Sequence, residues 1–154
     1  MNCLLVIDMQ KGFMEDKKLI DFQTRLQIQA RIVSSFRDLQ QPIIYTRFKK
    51  YRDIIPELSP LEDESVLIKK HSDSYEDSEL FDLTKDFSRI HVIGCNSWPC
   101  VALTIDSGLE RGLKFVAYKN GILSRNSNKK EEFYYLTLRY LLNPGVKVKN
   151  WVND

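Results

Sequence analysis

A carboxylate, an ammonium and a thiol occupy equivalent places in this chain. Asp8 closes the apolar run at residues 3–7, Lys69 closes the run VLI at 66–68, and Cys100 follows the run IHVI and the turn GCNSWP. Such a set can carry out acyl transfer through a covalent step. The thiol attacks a carbonyl, the carboxylate takes the thiol proton and returns it to the leaving group, and the ammonium holds the anions in place. Backbone N–H groups around the cysteine can stabilise the oxyanion. A thiol where a helix opens also meets unpaired N–H groups and the positive end of the helix dipole, and both favour thiolate. Each residue has a plainer reading when taken alone. Asp8 could cap a turn, Lys69 could be a surface lysine beside Lys70, and Cys100 could fill apolar space as Cys3 and Cys95 are expected to do.

The elements that must position these residues can be read from apolar patterning. Residues 3–7 are a continuous apolar run, expected as a fully buried strand. Residues 9–21 are mixed and read as a loop. Residues 22–39 show two adjacent helical stripes, Phe22, Leu26, Ala30 and Val33 beside Ile28, Ile32, Phe36 and Leu39. Strands are expected at 42–46, 66–69, 90–93, 114–118 and 146–148, with a short helix at 78–87. Pro99 suits a first helical turn, Val101, Ile105 and Leu109 recur at helical spacing, and Gly112 stops that helix. A last helix is expected at 128–142, capped by Asn128 and ended by Asn143-Pro144-Gly145. Strands alternating with helices imply parallel βαβ units. The expected fold is a three-layer α/β/α sandwich, Rossmann-like, with a mainly parallel sheet of five or six strands in a single domain, 1–154. Ligands bind beyond the carboxyl ends of such strands, where Asp8, Lys69 and Cys100 should converge.

Composition narrows the classes. The chain has 154 residues, 43% of them hydrophobic and 29% charged, and a net charge of +2. That balance gives no footprint for nucleic acid, and no stretch is apolar enough to span a bilayer. The opening MNCLLVIDMQ has neither a basic region nor a small-residue cleavage site, so no signal peptide is expected. Three cysteines without a CxxC pair fit reduced thiols, hence a cytoplasmic location. His71 and His91 lie in no zinc-like spacing and read as incidental, so neither a metal nor a cofactor is expected. Arg47, Lys49, Lys50 and Arg52 interleave with Phe48 and Tyr51 and read as a solvated loop.

The chain resembles the isochorismatase-like cysteine hydrolases, which include nicotinamidases and other amidohydrolases. The matching stretches are LLVIDMQKGF at 4–13, VLIK at 66–69 followed by SDSYEDSEL, and IGCNSWPCVALT at 93–104. The resemblance implies a triad of Asp8, Lys69 and Cys100. Lys69 is preferred to Lys70 because Tyr75 and Leu80 then fall where the family has an aromatic residue and a leucine. It also implies a cis peptide at Cys95–Asn96 and an oxyanion hole formed by the Asn96 and Cys100 N–H groups. Three features depart from the family pattern. Trp98 replaces a small or acidic residue, Pro99 directly precedes the nucleophile, and the loop TRFKKYRDIIPEL lacks the histidine of the nicotinamidase metal cluster. The chain is also shorter than many relatives. Part of the structure covering the substrate is therefore missing or supplied by another subunit, which makes a homo-oligomer the expected assembly.

The resulting expectation is a metal-independent cysteine hydrolase that cleaves a C–N bond of a small amide through a thioester. Phe13, Tyr75 and Trp98 are the expected aromatic wall of the substrate pocket. Vinyl-ether hydrolysis needs no thiol nucleophile and fits these residues less well. The competing reading is a catalytically degenerate domain whose pocket binds a metabolite or whose surface serves a protein partner.

Overall fold

The long apolar runs form the centre of a six-stranded sheet. The computed structural model describes residues 1–15, 19–76, 79–125 and 133–153. Its strands are β1 (Asn2–Ile7), β2 (Ile43–Phe48), β3 (Ser65–Lys69), β4 (Arg89–Cys95), β5 (Phe115–Leu123) and β6 (Val146–Lys149). All pair in parallel, in the order β3-β2-β1-β4-β5-β6. The strand order runs outward from β1 to β3 on one side and from β4 to β6 on the other, so the switch point lies between β1 and β4, and α/β sheets bind ligands beside such points. β1 is central and buried on both faces. Cys3, Leu5 and Ile7 face one apolar cluster with Val101, Ile105 and Leu136, whereas Leu4 and Val6 face another with Leu26, Ile32, Val33 and Phe36. This explains why residues 3–7 lack alternation. The helices are α1 (Lys11–Met14), α2 (Phe22–Asp38), α3 (Leu80–Thr84) and α4 (Ala102–Glu110). The three-layer parallel α/β expectation therefore holds. Among the described residues, no helix is long and apolar enough to cross a membrane.

Several boundaries differ from those expected, and each has a local cause. The expected loop at 9–21 contains the single turn α1. Residues 133–138 form a π-helical segment inside the helix expected at 128–142, and the Asn128 cap lies outside the described residues. Leu39 lies beyond the end of α2 and is exposed. The inner face of α2 instead buries two polar residues, Arg25 and Gln29.

Those two residues account for the largest difference, the extension of β5 to Leu123. Between the pairs Val92↔Ala117 and Gly94↔Ile122, β4 advances by two residues and β5 by five, a bulge of three extra residues. Lys119, Asn120 and Gly121 interrupt the apolar pattern there, so the strand appeared to stop at Tyr118. Arg25 Nη1 donates to the carbonyls of Lys119 and Ile122, each at 2.8 Å, and Gln29 Nε2 donates to that of Gly121 at 2.8 Å. The bulge frees carbonyls from the ladder, and α2 supplies their donors.

Gly94 sets how closely β4 approaches β1. Its φ is +140°, and a Cβ there would lie 2.2 Å from the Ile7 carbonyl oxygen. Gly94→Ala is therefore expected to lower stability by more than about 1 kcal/mol, measured by urea denaturation. A loss within experimental error would show that the strands can separate at this point without cost.

Candidate active site

The carboxyl ends of β1 and β3 present Asp8 and Lys69, with β2 between them. Neighbouring strands lie about 5 Å apart, so only a long side chain can bridge the gap. Lys69 does so, passing over the Phe48 ring at 4.7 Å from its centroid and placing Nζ 2.7 Å from Asp8 Oδ2. Both side chains are fully buried. Lys69 Nζ also donates to the Ser72 carbonyl at 3.0 Å and to Ser74 Oγ at 3.2 Å. The other carboxylate oxygen of Asp8 accepts a bond from Thr46 Oγ1 at 3.1 Å. Asp8 has a φ of 53°, a left-handed conformation that aspartate tolerates better than most residues. Lys70, the neighbour in sequence, is exposed.

Cys100 completes the cluster from the turn after β4. Its thiol lies beside the Asp8 carboxylate and the Ser72 side chain, both of which act on its protonation. The turn is tight. Cys95–Asn96 and Trp98–Pro99 are both cis, Trp98 is extended, and the Asn96 carbonyl accepts the Val101 N–H at 3.0 Å. The cis bond at Asn96 agrees with the resemblance, whereas the one before Pro99 had no sequence signal. Thr104 of α4 donates to Ser74 Oγ at 3.2 Å and accepts the Ser74 N–H at 3.0 Å, linking the cysteine's helix to the lysine's loop.

The electrostatics reverse one expectation. Turn amides and the helix dipole suggested a ready thiolate, but burial, followed by the Asp8 charge, pushes the Cys100 thiol up to about 12, with Lys69 pulling the other way. Cys100 is only 6% exposed and faces a carboxylate, so desolvation and like charge outweigh the dipole. Burial also raises the Asp8 carboxyl above its ordinary 3.8, opposed by the adjacent Lys69 ammonium. Burial thus favours the neutral thiol at Cys100, and at Asp8 it works against the Lys69 ammonium, which favours the carboxylate.

A cavity of about 270 Å³ opens beside the turn, lined by Gly12, Phe13, Tyr51, Asn96 and Arg125. Its wall is the loop after β2, fastened to the DMQKGF stretch. Gln10 Nε2 donates to the carbonyls of Phe48 and Arg52, each at 2.7 Å, and the Gly12 N–H donates to the Tyr51 carbonyl at 3.0 Å. Of the three expected pocket aromatics, Phe13 lines this cavity. Tyr75 is instead a core residue, 4% exposed, with its hydroxyl 3.1 Å from Thr84 Oγ1. Trp98 stacks on Tyr135 at 4.6 Å and is not part of the lining. Sequence reasoning missed Thr46, Ser72, Ser74, Thr104 and Arg125. The run HSDS at 71–74, directly after Lys70, was the available signal for the two serines. A larger cavity of about 570 Å³ lies near the start of β2 and is bordered by Arg37, Glu64 and Phe87, away from all of these groups. Among the described residues, no three His, Cys, Asp or Glu side chains gather as metal ligands. Asp53, in the loop after β2, pairs with Arg47 at 3.0 Å.

Fold and site together define an α/β protein with a thiol, a carboxylate and an ammonium at the carboxyl edge of a parallel sheet. The isochorismatase domain model matches residues 2–146, and the chain belongs to that family, whose members are hydrolases. A secreted isochorismatase effector from Verticillium dahliae is 24% identical over 140 residues, covering 81% of this chain and 74% of the relative. A nicotinamidase from Staphylococcus aureus has the same fold, with a TM-score of 0.84 at 19% identity over 98% of each chain. An isochorismatase from Pseudomonas putida KT2440 aligns with a TM-score of 0.84 at 20% identity, over 97% of this chain and 87% of that one.

Two measurements test this geometry. Lys69→Met leaves Asp8 buried without its cation and is expected to cost about 3–5 kcal/mol in a urea melt, whereas exposed Lys70→Met should stay within about 0.5 kcal/mol. Asp8→Asn removes the charge that opposes thiolate formation. The pH profile of Cys100 alkylation, read by peptide mass spectrometry, should therefore move to lower pH.

Proposed function

We propose that this chain is a metal-independent cysteine hydrolase that cleaves the C–N bond of a small amide. The observation that carries the reading is the buried ion pair of Asp8 with Lys69 set beside the Cys100 thiol. Cys100 attacks the carbonyl as its proton passes to Asp8, so proton transfer accompanies attack instead of preceding it. Lys69 keeps Asp8 ionised until that moment. The Asn96 and Cys100 N–H groups hold the oxyanion. The C–N bond then breaks, Asp8 returns the proton to the departing amine, and a thioester remains on Cys100. Asp8 next deprotonates a water molecule, which attacks the thioester. The acid is released and the proton returns to the sulfur. Three free cysteines fit a reducing, cytoplasmic setting for this chemistry.

The test is a screen of small primary amides for ammonium release, with and without exhaustive chelation. Cys100→Ala should abolish turnover, and Asp8→Asn should lower it by roughly a hundredfold or more. Activity should fall as pH drops through the Asp8 pKa, because the protonated carboxyl is no longer a base. That acidic limb should lie above 3.8, since burial raises the group. Loss of turnover on chelation would contradict the metal-independent mechanism. Binding of amides with no turnover would favour a degenerate domain that only binds a metabolite.

A further inference from the structure

We propose that the outer edge of β3 is a self-association surface, where a second copy of this chain adds its own β3 antiparallel about a two-fold axis at Leu67. The proposal does not depend on the reaction performed at the site. Among the described residues, β3 pairs with β2 alone and ends the strand order. The outer side of such a strand is a template for another strand unless charge or cover blocks it. The two edges of this sheet differ in that respect. β6 reads VKVK and exposes Lys147 and Lys149, and charged side chains on an edge discourage pairing. β3 reads SVLIK, and its exposed positions are Val66 at 41% and Ile68 at 60%. Both side chains point to one face, while Leu67 packs on the other against the cluster that holds Leu5 and Ile44.

Charge complementarity identifies the occupant. Residues 62–70 read EDESVLIKK, with acids on one side of the apolar centre and lysines on the other. Antiparallel pairing about Leu67 sets Val66 of each copy opposite Ile68 of the other, and opposed residues in such a ladder share a face. Four β-branched side chains then cover one another across the junction. The same register brings Lys70 of each copy to position 64 of the other, at the acidic turn that leads into β3. Glu64 is already paired with Arg37 at 2.8 Å, whereas Glu62, Asp63 and Lys70 are all exposed. Asp63 borders the cavity of about 570 Å³ together with Leu61, Ser65 and Leu83, so Lys70 of the second copy arrives at an acidic rim. In-register parallel pairing would instead set acid beside acid and lysine beside lysine. A contact made twice about one axis gives a closed dimer, and the sheet continues through it.

Sedimentation velocity on the full chain, over a concentration series, reads the assembly. A dimer is expected that dissociates on dilution and weakens with added salt, because the pairs formed by Lys70 lie at the surface. Ile68→Lys sets a charge against Val66 of the other copy and should raise the dissociation constant at least about tenfold. Ile68 is exposed in the single chain, so the circular dichroism spectrum should not change. Lys70→Glu should also weaken the dimer, by opposing acid to acid. Adding Glu62→Lys and Asp63→Lys to that variant should restore it. The register is read by mixing Val66→Cys and Ile68→Cys chains under mild oxidation. A disulfide should join the two variants to each other, and neither to itself, because positions 66 and 68 are the ones brought face to face. A chain that stays monomeric up to about 100 μM, leaving the edge to a different partner, would overturn the proposal. So would a dimer indifferent to both Ile68→Lys and Lys70→Glu.

Discussion

A buried ion pair sits at the head of this sheet, and much of the structure serves it. Asp8 and Lys69 come from strands that are not neighbours, and both side chains are out of water. Taking two charges into a protein interior costs several kcal/mol for each ion unless their remaining bonds are satisfied. Here Thr46 serves the carboxylate, while the Ser72 carbonyl, Ser74 Oγ and the face of Phe48 serve the ammonium. Such a pair adds little net stability beyond what an apolar pair of similar volume would provide. It makes chemical sense as a way to keep a carboxylate ionised beside a thiol that burial keeps neutral.

That division of protonation states determines what the site can do. A free thiolate would be a ready nucleophile but exposed to oxidation, and the pair would then have no proton to move. In the proposed mechanism a neutral thiol beside a carboxylate delivers nucleophile and proton together when a carbonyl arrives. The second constraint acts from the other side of the sheet. Arg25 and Gln29 satisfy the carbonyls that the β5 bulge frees, and the bulge carries Ser124 and Arg125 to the nucleophile turn. Chemistry thus comes from β1, β3 and the turn after β4, and the cavity wall from the β2 loop and β5.

The parallel sheet and the layer count were legible in the sequence because central parallel strands read as unbroken apolar runs. Asp8 and Lys69 were legible because each ends such a run, and Cys100 because it follows the turn after another, and the fold collects run ends at one edge. The β5 extension was hidden because its bulge contains Lys119, Asn120 and Gly121, whose neighbours on α2 cannot be inferred from local pattern. Arg25 and Gln29 were hidden for the same reason, since two polar residues on an apolar stripe make sense only once the bulge is seen. Tyr75 was misplaced because register fixes its position along the chain, whereas its ring packs inward against α3. The thiol was misjudged because the helix dipole is a local property and desolvation is a property of the whole fold.

The central claim is that Lys69 holds Asp8 ionised beside a neutral thiol. The most direct test is carbon-13 NMR of the aspartate side-chain carboxyls, with Asp8 assigned by its loss in Asp8→Asn and followed across pH. The account requires Asp8 to be a carboxylate at pH 7 in the wild-type chain, with its titration displaced above the ordinary aspartate value. In Lys69→Met the same carbon should be protonated at pH 7. A protonated Asp8 at pH 7 in the wild-type chain, or a titration indifferent to Lys69, would contradict the account.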